Sequence, residues 1–150
     1  MAEVEINKIV AHFRDGTLLK GTTRDFSPNR PAFHVQPMNG SPGIQVMCRK
    51  LKALFFVRDL SGDPTRVDLQ GFLRSPLENA HGRKIAVKFK DAELLCGYTM
   101  SFTSDRDGFF VLPADGRGNN IRVYVLRVAC DEVQAGPAAD EFARRELDAA

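Results

Sequence analysis

The feature that most restricts how this chain can fold is that it is written twice. Residues Lys8–Asp59 recur as Lys84–Ala135, and a shift of 76 positions aligns Lys8–Gly43 with Lys84–Asn119 without a gap. One extra residue then sets Ile44, Val46 and Cys48 opposite Ile121, Val123 and Val125. Periods of this length mark repeated structural units. Within each copy, Ile9, Ala11 and Phe13, or Ile85, Val87 and Phe89, alternate with polar neighbours and stop at Asp15-Gly16 or Asp91-Ala92. That pattern is a half-buried strand running into a turn. Asp-Gly suits a hairpin turn that needs positive φ, and Ala does not, so the second copy should turn at the same position with a different or more strained turn type.

The rest of each copy reads the same way. Leu18-Leu19 to Phe26 is a returning strand with Gly21 inside it, and Gly97 holds the same column in the second copy. A glycine inside a strand marks a sharp bend or a close backbone. Phe33-His34-Val35 and Phe109-Phe110-Val111 make third strands, each ended by a proline, Pro37 or Pro113. Ile44-Val46-Cys48 and Ile121-Val123-Val125 give fourth strands, and Leu51-Ala53-Phe56 and Val128-Cys130-Val133 fifth ones. The inward parity slips between Cys48 and Leu51, which places a tight turn or bulge at Arg49-Lys50. The expectation is an all-β protein of two tandem five-stranded antiparallel small barrels.

The run FRDGTLLKGTTRDF with AFHV, followed by IQVMCRKLKALFFV, resembles the Sm-like small-barrel family in the spacing of its strands, its Asp-Gly turn and its glycine. The resemblance implies the Sm-like topology for each copy. The chain departs from the family where the family contacts RNA: Asn29 is displaced, Asp105 stands in the second copy, and the Arg-Gly turn is Arg49-Lys50 here and Leu126-Arg127 there. A second likeness is to PilZ domains, which bind cyclic diguanylate: Asp25-Phe26-Ser27-Pro28-Asn29-Arg30 resembles their D-x-S-x-x-G signature, with Arg30 in place of the glycine.

The repeat divides the chain into a first barrel over 1–59, a packed linker over 60–83, a second barrel over 84–136 and a short tail helix over 137–150. Asp140 is the expected N-cap of that helix, with Phe142 and Leu147 as its anchors. In the linker, Val67, Leu69 and Leu73 alternate around Gly71 and suit an extra strand, favoured over a short helix from Asp68 to Asn79 that Gly71 and Pro76 would interrupt. A unit of some fifty residues buries only about 60% of its unfolded surface, so the two barrels are expected to share a core, or to dimerise. No apolar run approaches the roughly 20 residues that span a bilayer, and MAEVEINK is no secretory leader, so no membrane partner and a cytoplasmic location are expected.

No chemistry-bearing constellation stands out. Cys48, Cys96 and Cys130 form no C-x-x-C and fall in three different columns, as core fillers do. His12, His34 and His81 do not recur and lack neighbours at ligand spacing, so neither metal nor cofactor is expected, and no nucleophile–base pair suggests an enzyme. Charge is uneven, however. Lys8–Asp59 holds nine Lys and Arg against three Asp, while Lys84–Ala135 holds seven basic against seven acidic residues. Two function classes follow. The leading one is a regulatory module for a protein partner or self-association, with Leu54, Phe55, Phe56 and Val57, apolar on both faces, as the packing surface. The alternative is a binder of RNA or a cyclic dinucleotide through Arg24, Arg30, Arg49, Lys50 and Lys52.

Overall fold

The computed structural model describes residues 5–61, 71–72, 82–103, 105–115 and 118–149. The first copy contributes β1 (Asn7–Phe13), β2 (Leu18–Thr23), β3 (Ala32–Pro37), β4 (Ile44–Met47) and β5 (Leu51–Val57). The second contributes β6 (Arg83–Phe89), β7 (Leu94–Thr99), β8 (Gly108–Pro113), β9 (Asn120–Leu126) and β10 (Cys130–Ala135), followed by helix α1 (Pro137–Asp148). The protein is mostly β, with a single short helix at its C-terminal end among the described residues.

Two separate closed barrels are not what forms. The ten strands make one antiparallel sheet in the order β10-β6-β7-β8-β9-β5-β1-β2-β3-β4. Each half has the same internal order, its fifth strand beside its first and its fourth at the far end. Closing the first half would require β4 to pair with β5. Instead the second edge of β5 is taken by β9, with Ala53 opposite Val125 and Phe55 opposite Val123. That joint continues the sheet from one half into the other.

The register also corrects the alignment of the copies. Val35 lies opposite Ile44 and Val111 opposite Val123. Beyond the third strand the copies are therefore offset by three residues more, not one, and the equivalents of Ile44, Val46 and Leu51 are Val123, Val125 and Cys130. The surplus residues, Asn120–Arg122, lengthen β9 at its start, and there they pair with Val57 and Phe56 of β5. The inserted length is what lets β9 span the joint.

Alternation along the joint strands feeds two cores. Leu54 and Phe56 of β5, with Tyr124 and Leu126 of β9, enter the first-half core beside Ile9, Phe33 and Val35. Ala53, Phe55 and Val57, with Val123 and Val125, enter the second-half core beside Ile85, Phe89 and Phe109. Each strand thus buries both faces, which is why Leu54–Val57 reads as an unbroken apolar run. At this seam Phe26 meets Tyr124 edge-on at 5.1 Å, and the Arg122 guanidinium lies 4.3 Å from the Phe56 ring centre.

The local expectations fare well. A Cβ on Gly21 would collide with the carbonyl of Gln36, and one on Gly97 with that of Leu112, so both glycines admit the neighbouring strand where the sheet bends. Ala92 has φ +75° in the turn where the first copy has Gly16. The Arg49-Lys50 break is a single 3-10 turn, Cys48–Lys50, and its counterpart is Arg127–Ala129. The tail helix starts at Pro137, but Asp140 is not its N-cap: Gly136 occupies that position, and Asp140 pairs with Lys84 at 2.8 Å. Phe142, Ala139 and Ala143 bury against Ala86, Cys96 and Tyr98, while Leu147 is 37% exposed. The strand expected around Val67, Leu69 and Leu73 lies outside the described residues.

Candidate nucleotide-binding groove

The four-residue span Arg49–Lys52 splits in two. Lys52 turns inward: its side chain is 8% exposed, and its ammonium lies 2.7 Å from Asp91 Oδ2 and 2.9 Å from Glu93 Oε2 in the other half. Arg49 turns outward with the 3-10 turn that carries it. That turn is fixed by two backbone bonds: the Cys48 N–H donates to Pro31 O at 2.9 Å, and the Arg14 N–H donates to Lys50 O at 2.9 Å. The first draws in the loop bearing Arg30, the second the hairpin end bearing Arg14. Three arginines distant in sequence are thereby gathered on one wall.

The opposite wall comes from the second half. The Arg127 N–H donates to Asp107 O at 2.9 Å, which repeats the Cys48–Pro31 bond in the other copy. Together the walls enclose a groove of about 750 Å³ lined by Arg14, Arg30, Arg49, Arg127, Asp107 and Tyr124, with Pro28, Asn29, Pro31 and Cys48 at its loops and floor. None of the four arginines forms an ion pair among the described residues. Burial, with Cys48 and Asp107 nearby, pushes the Tyr124 hydroxyl above its ordinary pKa and keeps it a proton donor. Its ring packs against Gly108, where any side chain would displace it.

The loop carrying Arg30 is held from behind. Asp25 accepts hydrogen bonds from the His34 N–H at 2.9 Å and from the Thr23 hydroxyl at 3.3 Å, and it lies 2.7 Å from His34 Nδ1. Burial acts to raise the Asp25 pKa, yet these bonds outweigh it and hold the carboxyl below the usual range.

Residues 5–136 match the model of a family of unknown function, DUF6982. The chain belongs to that family. The DUF6982 span holds the whole sheet and both walls of the groove, and it ends at Gly136, where α1 is about to begin. No curated protein and no solved structure matches the chain.

Of the basic residues expected to act together, the structure brings Arg30 and Arg49 into the groove and leaves the others out of its lining. Arg24 and Lys50 are exposed elsewhere, and Lys52 is consumed in the joint between halves. Leu54, Phe55, Phe56 and Val57 are at most 6% exposed, covered by β9 and the two cores, so they present no free surface to a partner. Arg14, Arg127, Asp107 and Tyr124 escaped the sequence reading. Arg14 and Arg127 each adjoin a turn that the repeat locates, but nothing in the repeat says that turns of different copies face each other. No described helix is long and apolar enough to cross a membrane.

Proposed function

We propose that this protein is a non-catalytic binding module whose groove takes a phosphate-bearing ligand of nucleotide size, an RNA segment or a cyclic dinucleotide. The observation that carries this reading is the convergence of four arginines from both halves on one groove with no carboxylate paired to them. Like charges held together repel, and an anion relieves that repulsion. Guanidinium groups match phosphate oxygens in planar, two-point hydrogen bonds. A volume of about 750 Å³ is in the range of small-ligand sites. Tyr124 is 6% exposed and offers no open ring for a base to stack on, so phosphate contacts supply most of the affinity.

The test is a titration of the full chain with cyclic diguanylate and a fluorescein-labelled RNA tetramer at two salt concentrations. Binding should weaken as salt rises, and the double variant Arg30→Glu, Arg49→Glu should lose at least tenfold in affinity while keeping its circular dichroism. Affinity unchanged in that variant would remove the groove as the site.

A further inference from the structure

We propose that Asp107, set beside Arg127 on the second-half wall, makes the groove select guanine among the nucleotide bases. The inference rests on the groove being a phosphate-ligand site. Its starting point is a charge that a pure phosphate site would not hold. Asp107 is the one carboxylate lining the groove among the described residues, it is exposed, and its side chain has no hydrogen-bond or ion-pair partner there. A free carboxylate opposes anion binding unless it recognises another part of the ligand.

The chemistry it can recognise is narrow. An ionised carboxylate only accepts hydrogen bonds, through two oxygens side by side. Guanine alone among the four bases presents two adjacent donors on its Watson–Crick edge, N1–H and the N2 amino group, with the O6 acceptor next to them. Adenine and cytosine each present one amino donor beside a ring-nitrogen acceptor, which would face the second oxygen of Asp107. Uracil presents one N–H between two carbonyls. The Arg127 N–H donates to the Asp107 carbonyl at 2.9 Å, which keeps the two residues adjacent on this wall, and the Arg127 guanidinium supplies a donor for O6 from the same wall. Across the groove, Arg14, Arg30 and Arg49 are placed for the phosphates. A site whose polar groups are matched to a ligand discriminates strongly against one that leaves them unpaired.

Either a free guanine nucleotide or a guanine within a single strand carries this chemistry. Calorimetric titration of the full chain with GDP, ADP, CDP and UDP tests the first source, and the RNA tetramers UUGU and UUUU the second. GDP should bind at least tenfold more tightly than the other diphosphates, or UUGU more tightly than UUUU by a similar factor. In Asp107→Asn that gap should fall below threefold while ADP binding holds or strengthens, because the anion site has lost a negative charge. Equal binding across both sets, or a guanine preference that survives Asp107→Asn, overturns the assignment and leaves the phosphate groove standing. No binding of any of the six overturns the guanine assignment, and the phosphate groove falls with it if cyclic diguanylate does not bind either.

Discussion

The Lys52 ammonium of the first half lies 2.7 Å from the Asp91 carboxylate of the second, on the hairpin turn that repeats its own half's Asp15 turn. It also sits 4.6 Å from the centre of the Phe89 ring and 2.9 Å from Glu93. Burial opposes its charge, but the bonds to the two carboxylates prevail and raise its pKa. Lys52→Met keeps the stem against Phe89 and removes the ion pairs. Both carboxylates are about half exposed, so the cost should be about 1–2 kcal/mol, below that of a fully buried pair. Urea unfolding measures it, and an unchanged midpoint would show that the clamp contributes nothing.

The same cluster sets the acid response. Burial lowers the pKa of His12, against the pull of Glu93, so the unfolded chain takes up this proton first and stability should fall as pH drops below about 6.5. For Asp91, burial acts upward but the Lys52 bond and the Glu93 N–H win, and its pKa is lowered. Its contribution is present above about pH 4 and is lost as pH falls through the depressed folded value. Urea midpoints against pH should therefore decline in two stages. His12→Gln should flatten the first and Asp91→Asn soften the second, whereas a single stage unaffected by either would refute the assignment.

Backbone geometry gives a signed pair of expectations. Ala92 at φ +75° pays for a conformation that glycine adopts freely, so Ala92→Gly should stabilise the fold by about 1 kcal/mol. At Gly21 and Gly97 an added methyl meets a neighbouring carbonyl, so either Ala variant should destabilise by about 3 kcal/mol or fail to fold. Thermal melts of the three variants decide the matter, and a stabilised Gly21→Ala would mean that the strands are farther apart there.

Because β5 and β9 contribute to both cores, the halves should unfold together, in one calorimetric transition whose van't Hoff and calorimetric enthalpies agree. The free ends are not built to repeat the joint. Phe26, Phe56, Phe110, Tyr124 and Arg122 meet at the seam. At the open edges the equivalents of Phe26, Phe56, Phe110 and Tyr124 are Phe102, Ala135, His34 and Gln45, Arg122 belongs to the surplus segment and has no equivalent, and Asp131 and Glu132 add charge to the β10 edge. Light scattering should give the 16.7 kDa monomer. A concentration-independent larger mass would mean that another surface joins copies.

Much of the strand plan could be read from residue order because its causes are local. Period-two alternation at Ile9–Phe13 and Ile85–Phe89, the Asp-led turns and the interior glycines act over a few residues, so they landed where expected. The fourth and fifth strands were misaligned by two residues, because the extra length of β9 compensates a change in pairing and leaves no mark on periodicity.

What the sequence determined by itself was the set of strands, their bends and the faces they bury, since side-chain pattern encodes which face leaves water. What the tertiary structure decided was which edges meet. Backbone edges carry the same N–H and C=O groups on every strand, so only packing could choose β9 over β4 as the neighbour of β5. That choice spent Lys52 and Leu54–Val57 on the joint, and it brought Arg14, Arg30 and Arg49 within one groove of Asp107 and Arg127.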